Sequence, residues 1–186
     1  MVELIDLSRQ SLTGYGIELR PVTPSDLPSL RRWRNSPEVS GQMKDSSYIS
    51  PSAQRRWFER IQQESNQAHW VVWFKGVRTG YMNVVGQGSL KDQAYLEGGM
   101  YVGQSTVRSG LLGFAIALMQ LKVVFELARV PVYQTVYKAT NKAARRFNEY
   151  LGYTEGVLEE GFVQISLDEV AYLATKDRMA RYFENV

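Results

Sequence analysis

The segment from Leu96 to Tyr153 constrains the fold of this chain more than any other part of the sequence. It opens with a glycine-containing strand, LEGGMYVG, followed by the polar turn STVRSG and a long apolar helix. A second strand, PVYQTVY, then leads into a helix that ends at Leu-Gly-Tyr. Because free backbone N–H groups at a helix start attract anions, this order is typical of a site for a nucleotide-type cofactor.

The composition indicates an ordinary globular protein. The 186 residues predict one domain, residues 1–186, which is long enough to bury a core. The absence of cysteine excludes disulfides, thiolate-bound zinc and thiol nucleophiles, and it fits a reducing, cytoplasmic location. His69 is the only histidine, so a histidine-rich site is excluded and we expect no metal.

Charge and hydropathy argue against two classes of partner. The net charge of +3 slightly favours anionic ligands, but it is too small for a dedicated nucleic-acid binder. The start, MVELIDLSRQ, lacks the basic region and apolar run of a signal peptide. We count no run of about 18 apolar residues, so we expect no membrane span.

The remaining segments alternate between short helices and strands. A strand over Tyr15 to Val22 precedes a helical segment at about residues 23–65, whose last helix is capped by Ser50. The runs HWVVWF and GYMNVVGQ form a hairpin. After the central segment we predict strands in TEGVLEEGFVQI and DEVAYLAT, then a helix capped by Thr175. The fold class is therefore α/β (α+β), with one mixed, mostly antiparallel sheet that is splayed at its centre and flanked by helices.

Two adjacent glycines, Gly98 and Gly99, interrupt the first strand of the central segment. Glycine weakens a strand interior, so the pair indicates a bulge or a close approach of another backbone. A strand that splays here leaves the backbone groups of Met100, Tyr101 and Val102 free to pair with an extended ligand. An ordinary edge bulge is the alternative.

The turn before the long helix can hold a pyrophosphate. The N–H groups of about residues 108–113 lie at the helix start, and Arg108 adds a permanent positive charge. The pattern is neither a Walker loop nor GxGxxG, so a core helix with glycines for packing is the alternative. In both interpretations one helix face is predicted to be core, comprising Leu111, Ala115, Leu118 and Met119.

The helix that follows the second strand begins near Asn141 and ends at Gly152, the expected left-handed stop. Ala144, Phe147 and Leu151 are predicted to face inward. Asn141 is either a helix cap or a side chain whose amide pairs with an amide of a ligand.

These motifs, in this order, resemble the GNAT superfamily of acetyl-CoA-dependent N-acetyltransferases over nearly the whole chain. The pattern N-x-x-A…F…L-G-Y, from Asn141 to Tyr153, is similar to the family's Asn…Ala…Leu-Gly-Phe ending. The opening is similar to the ribosomal-protein N-terminal acetyltransferases and to acetyltransferases of amino-sugar nucleotides for flagellin and surface glycans. Its Trp-Arg-Asn, Pro-Glu-Val, Ile-Ser-Pro and Trp-Phe favour the sugar-nucleotide branch.

The sequence departs from the family pattern at two places. If Gly110 is the central glycine of the phosphate motif, Val107 replaces a basic residue and Leu112 a small one, while Arg108 is displaced by one position. Asn148 stands where many members have a tyrosine that protonates the leaving thiolate. The resemblance implies acetyl-CoA as co-substrate, bound by Met100, Tyr101, Val102, Val107, Arg108, Ser109, Gly110, Leu111, Leu112, Asn141, Ala144, Phe147 and Asn148.

The resemblance also implies direct attack of a neutral amine on the acetyl thioester. Glu97 is the expected base, directly or through water, and a surface carboxylate is the alternative for it. The N–H of Met100 is the expected donor to the oxyanion. Tyr101, Tyr150 and Tyr153 can each protonate the thiolate, and we select Tyr150.

The acceptor is expected to bind the N-terminal helices and the hairpin of residues 76–88. The candidate residues are Trp33, Arg34, Asn35 and Met82. As the alternative, Trp33 can equally be a core residue, and Arg34 can belong with Arg31 to a solvated helix face. The preferred acceptor is the amine of a nucleotide-linked amino sugar. The alternatives are a protein N-terminus and a catalytically weak CoA-binding regulatory module. Edge strands near the C-terminus can pair across a homodimer.

Overall fold

The structure is a computed structural model, and it describes residues 3–104 and 110–183. Its strands form one sheet in the order β1-β2-β3-β4-β5-β6-β8-β7. All neighbouring strands are antiparallel except β5 and β6, which are parallel. This confirms the predicted fold class. The strands are β1 (Leu12–Gly14), β2 (Ile17–Pro21), β3 (Gln67–Phe74), β4 (Val77–Val85), β5 (Leu96–Val102), β6 (Val132–Lys138), β7 (Thr154–Glu159) and β8 (Phe162–Asp168).

Helices flank the sheet. The longest, α5, continues into a π-helical turn, Val123–Ala128, and packs against β4 and β5. The N-terminal pair α2 and α4 pack together, and α4 contacts β3. The α-helices are α1 (Leu4–Ser8), α2 (Leu27–Arg34), α3 (Pro37–Ser40), α4 (Pro51–Ile61), α5 (Gly110–Lys122), α6 (Lys142–Leu151) and α7 (Glu169–Ala180).

Two hydrophobic clusters lie on opposite faces of the sheet, because successive strand side chains alternate between faces. The larger cluster includes Trp70, Met82 and residues of α5. The smaller one includes Val71 and Leu30, with Tyr81 and other aromatic side chains packed against it. The face with α2 and α4 is therefore the face to which odd-numbered residues of β4 and β5 point.

Several local predictions are confirmed. Ser50 caps α4 by accepting a hydrogen bond from the Ala53 N–H at 3.1 Å. Asn141 caps α6 in the same way, through the Ala144 N–H at 2.9 Å. Gly152 ends that helix with a left-handed φ of 88°, a conformation that costs glycine little.

The predicted C-terminal strand is wrong. Residues 169–175 belong to α7, because Asp168, the last residue of β8, accepts a hydrogen bond from the Ala171 N–H at 2.8 Å and caps a helix there. Thr175 lies inside this helix and donates to the Leu151 carbonyl at 2.7 Å, so it is not a cap. The core prediction also fails for Leu111, which is 48% exposed.

The described residues contain one helix that could cross a membrane by length and composition alone, Leu111–Ala128, with a mean hydropathy of 1.9. Counting consecutive apolar residues missed it because Gln120, Lys122 and Glu126 interrupt the run. Buried residues make up 61% of this window, and the helix supplies much of the larger cluster. Its apolar character is therefore explained by the protein core.

Candidate active site

A cleft opens where β5 and β6 separate. Their parallel pairing is limited to Leu96 with Tyr133 and Glu97 with Gln134. Beyond these pairs lies a cavity of about 360 Å³, which we call the splay cleft. Four predicted cofactor-binding residues from α6 and its N-cap line it together with Met100 of β5, namely Asn141, Ala144, Phe147 and Asn148.

The amide of Gln120, on α5, holds β4 and β5 at the start of this cleft. Its Nε2 donates to the Asn83 carbonyl at 2.8 Å and to the Gly99 carbonyl at 3.2 Å. Gln120 is 3% exposed, so this polar side chain is satisfied inside an otherwise apolar helix. The Asn83 side chain in turn accepts a hydrogen bond from the Gly99 N–H at 2.9 Å.

These contacts fix the direction of the Met100 amide. Successive N–H groups along a strand point to opposite sides, and that of Gly99 points to β4. The carbonyl of Gly98 points the other way and accepts a hydrogen bond from Thr135 Oγ1 of β6 at 2.7 Å. The Met100 N–H therefore points into the gap between β5 and β6, where it can donate to a ligand. By the same alternation, the backbone of Tyr101 pairs with β4 and does not face the gap.

A second cavity, of about 400 Å³, lies on the sheet face that carries α2 and α4. We call it the aromatic pocket, because Trp57, Tyr81 and Tyr101 line it. The last two rings stack with centroids 5.3 Å apart. Gly99 and Met100 line both this pocket and the splay cleft, so the two cavities meet at β5.

Arg34 reaches the aromatic pocket from the end of α2. Its Nη2 donates to the Asp45 carbonyl, whereas its buried Nη1 has no hydrogen-bond partner among the described residues. The pKa of the Asp45 carboxyl lies below its usual value, because the side chain and backbone of Ser47 donate to it. The pocket thus contains a cation with one free, buried donor.

His69 contacts Tyr81, one of the residues that line the aromatic pocket. Its Nε2 lies 2.7 Å from Gln67 Oε1, and its Nδ1 lies 2.5 Å from the Tyr81 hydroxyl. Burial, with a smaller effect of Arg60, lowers the pKa of His69 to about 4, so the ring is neutral at pH 7. The neutral ring donates to Gln67 and accepts the proton of Tyr81. His69 therefore orients Tyr81.

Three of the predicted substrate-binding residues have structural roles. The indole of Trp33 is buried beneath Gly103. The Asn35 amide holds the following loop by donating to the Ile49 carbonyl at 3.0 Å and accepting from its N–H at 2.8 Å. Met82 is fully buried on the face that carries α5. Only Arg34 of this set lines the aromatic pocket.

The predicted catalytic residues differ in their placement. Glu97 is exposed at the last position where β5 and β6 still pair, on the same sheet face as Gly99. Tyr150 does not line the cleft: its ring packs against Phe114, at 5.2 Å between centroids, and Arg178 lies over it. This outward position comes from its place on α6, two residues after Asn148.

Most of the predicted cofactor-binding residues outside α6 are not among the residues that line the splay cleft. Val102 packs against the larger cluster, Gly110 is the first residue of α5, and Leu112 is buried. Val107, Arg108 and Ser109 lie outside the described residues, so the predicted phosphate turn stays a prediction.

Several residues at the site were not predicted from the sequence. Gln120 could have been found, because an amide within a long apolar helix needs a partner. Tyr133 and Thr135 are two residues apart on β6 and both line the cleft, but no local sequence pattern marks them as site residues. The loop residues Gln42 and Met43 reach the cleft only through the tertiary fold, where Asn141 Nδ2 donates to Gln42 Oε1 at 2.9 Å.

Comparisons with known proteins agree with this geometry. The model of the acetyltransferase (GNAT) domain family matches residues 17–154, which is most of the chain. The chain therefore belongs to the GNAT acetyltransferase family. No curated protein matches the sequence significantly.

Solved structures show the same fold at low sequence identity. FdhC, described as a nucleotide-linked sugar GNAT, is 12% identical with a TM-score of 0.77, covering 94% of this chain and 98% of its own. A GCN5-related N-acetyltransferase from Brucella melitensis is 14% identical, with a TM-score of 0.71 and coverages of 94% and 86%. Mycobacterium smegmatis RimJ, in complex with CoA-disulfide, is 15% identical, with a TM-score of 0.69 and coverages of 92% and 93%.

Family membership makes this protein an N-acetyltransferase that uses acetyl-CoA. The described part of the splay cleft fits the thioester arm of that co-substrate. It offers the Met100 N–H on one wall and side chains of α6, including Asn148, on the other. The described residues contain no group of three or more histidine, cysteine or acidic side chains that could hold a metal ion.

Proposed function

We propose that the acetyl acceptor is the amino group of a nucleotide-linked amino sugar. The observation that carries this proposal is the Arg34 guanidinium, which lines the aromatic pocket and whose buried Nη1 has no hydrogen-bond partner among the described residues. A buried donor of this kind is costly unless a ligand satisfies it. A guanidinium matches phosphate oxygens in geometry and charge, so a diphosphate is a fitting partner.

The rest of the aromatic pocket supports the same acceptor. Trp57, Tyr81 and Tyr101 offer ring faces and edges against which a sugar or a base can pack. The volume of about 400 Å³ accommodates a small molecule of this class. Because the pocket meets the splay cleft at Gly99 and Met100, an amine held there approaches the acetyl group from the opposite side of β5.

The chemistry that we propose uses groups on β5. Glu97 lies two residues before Gly99 on β5, on the sheet face that carries the aromatic pocket. From there its carboxylate can remove the ammonium proton directly or through water. The Met100 N–H points into the gap and can stabilise the oxyanion. Neither role depends on which amine is acetylated.

A protein N-terminus is the alternative acceptor. It would place a peptide in the same pocket, and its carbonyl groups could also satisfy Arg34. A diphosphate differs because it carries charge, so the contribution of Arg34 to binding should depend on the phosphates of the acceptor.

The first test is a CoA-release assay with acetyl-CoA against nucleoside-diphosphate amino sugars, the same sugars without the nucleotide, and N-terminal peptides. We expect release with the nucleotide-linked sugars. Arg34→Met should raise KM for them by roughly 10–100-fold, as expected for loss of a charged hydrogen bond, and leave the unphosphorylated sugars unaffected. Arg32→Met, on the exposed side of the same helix, is the matched control.

Release with peptides alone would replace the proposed acceptor by a protein N-terminus. An equal effect of Arg34→Met on phosphorylated and unphosphorylated sugars would show that Arg34 contacts another part of the acceptor. Acetyl-CoA binding without release on any amine would support a regulatory module.

A further inference from the structure

The Tyr133 hydroxyl is an unpaired polar group at the apex of the splay cleft. Tyr133 is 1% exposed, and its hydroxyl has no hydrogen-bond partner among the described residues. The oxygen lies 3.0 Å from the position that a Cβ on Gly98 would take, and the residue lines the cleft. Buried hydroxyls are almost always paired, so this one calls for an explanation.

The polar neighbours of this hydroxyl are engaged elsewhere. Thr135 donates its proton to the Gly98 carbonyl at 2.7 Å. Gln120 donates to the carbonyls of Asn83 and Gly99. Tyr133 is therefore a donor at the narrow end of the cleft whose proton is not used by these neighbours.

The surroundings keep this hydroxyl protonated. Burial raises the pKa of Tyr133 well above its ordinary value, with smaller contributions from Tyr153 and Glu97, while the nearby Thr135 and Gln120 side chains act in the opposite direction. A phenol in this environment stays protonated at neutral pH, so it can donate a hydrogen bond to an anion formed beside it.

We propose that the Tyr133 hydroxyl donates a hydrogen bond to the sulfur of the leaving thiolate and so stabilises its negative charge. In this step the acceptor nitrogen forms a bond to the acetyl carbon and the carbon–sulfur bond breaks. The amine proton passes to Glu97 or to water, the Tyr133 hydroxyl keeps its own proton in a hydrogen bond to the sulfur, and the departed thiolate takes up a proton from solvent. The assignment depends on acetyl-CoA as donor and not on the identity of the acceptor. It replaces Tyr150, whose ring lies outside the cleft.

The test uses bound CoA and no acceptor, so it is independent of the proposed sugar substrate. CoA is bound to the wild-type protein and to Tyr133→Phe, affinity is measured by calorimetry, and the ultraviolet thiolate band is followed as the pH is raised. Tyr133→Phe removes only an unpaired hydroxyl, so we expect stability to be unchanged. Tyr153→Phe is the matched control, because this ring lines the same cleft 6.3 Å from that of Tyr133.

A hydrogen bond from Tyr133 stabilises the thiolate, so the acid dissociation constant of bound CoA should be roughly tenfold higher in wild type than in Tyr133→Phe. With a competent acceptor, kcat of Tyr133→Phe should fall roughly tenfold or more, while affinity for acetyl-CoA stays within about threefold. Identical thiolate titrations would overturn the assignment, as would a wild type that does not bind CoA. An equal shift in Tyr153→Phe would transfer the role to that residue and overturn it as well.

Discussion

The carbonyl oxygen of Asn83 lies 2.2 Å from the position that a Cβ atom on Gly98 would occupy. This oxygen belongs to the backbone of β4 and is also held by the Gln120 amide, so it cannot move away cheaply. Gly98 is therefore required by the close approach of two strands, as the double glycine predicted. Gly99 is different, because its nearest neighbour, Asn83 Oδ1, lies at an ordinary 3.8 Å.

Gly98→Ala should destabilise the protein by about 1–3 kcal/mol, the usual cost of overpacking a close contact. Gly99→Ala, one residue away, should have a much smaller effect and is the control. Urea unfolding of the two variants and the wild type gives the comparison. Equal free energies of unfolding for the two variants would show that the strands move apart readily at Gly98.

Gln120→Met should also lower the free energy of unfolding, by about 1–3 kcal/mol, because it leaves the Asn83 and Gly99 carbonyls without their buried donor. We expect weaker acetyl-CoA binding too, since these contacts hold β5 at the cleft. Calorimetry and urea unfolding measure both effects. Met119→Leu, at the neighbouring buried position, is the control and should cost less than about 1.5 kcal/mol. Equal losses in the two variants would contradict a specific role for the amide.

The sequence predicted those parts of the fold that carry local signals. The order of β5, α5, β6 and α6, the cap at Asn141 and the stop at Gly152 all follow from residue patterns within each element. The start of α7 was missed because VAYLAT has the composition of a strand, whereas its helix depends on the single side chain of Asp168. Short elements such as α1 carry too few residues for a periodic pattern.

The candidate site was only partly predictable for a related reason. Asn148 and Met100 belong to motifs, and both line the cleft. Tyr133 reaches the cleft because β6 diverges from β5, and its unpaired hydroxyl exists only in the assembled fold. Trp33 and Asn35 were expected at the acceptor site, yet packing and a loop contact account for both side chains.

Glu97→Gln should reduce the acetylation rate at neutral pH by roughly 100-fold or more, because a glutamine of the same shape cannot accept the ammonium proton. The difference from wild type should narrow as the pH rises, since the free acceptor is then already neutral. Initial rates across this range test the proposal. Glu159→Gln, on the exposed strand β7, is the control. Equal rates for Glu97→Gln and wild type at neutral pH would exclude Glu97 as the base.

His69 should make the protein less stable as the pH falls. Its folded-state pKa of about 4 lies below the value of 6.5 expected in the unfolded chain, so unfolding takes up a proton between these two values. The contribution of His69 is fully present above about pH 6.5, is lost as the pH falls towards about 4, and changes no further below that. At about 1.4 kcal/mol per pH unit, the loss is about 3 kcal/mol.

His69→Gln isolates this effect, because every other titrating group stays in both proteins. The free energy of unfolding should decline more steeply with falling pH in the wild type than in the variant, from about pH 6.5 downwards. The variant also loses the ring that accepts the Tyr81 proton, so we expect a lower stability at neutral pH. Parallel pH profiles for the two proteins would mean that His69 titrates normally and that the buried contact to Tyr81 opens in solution.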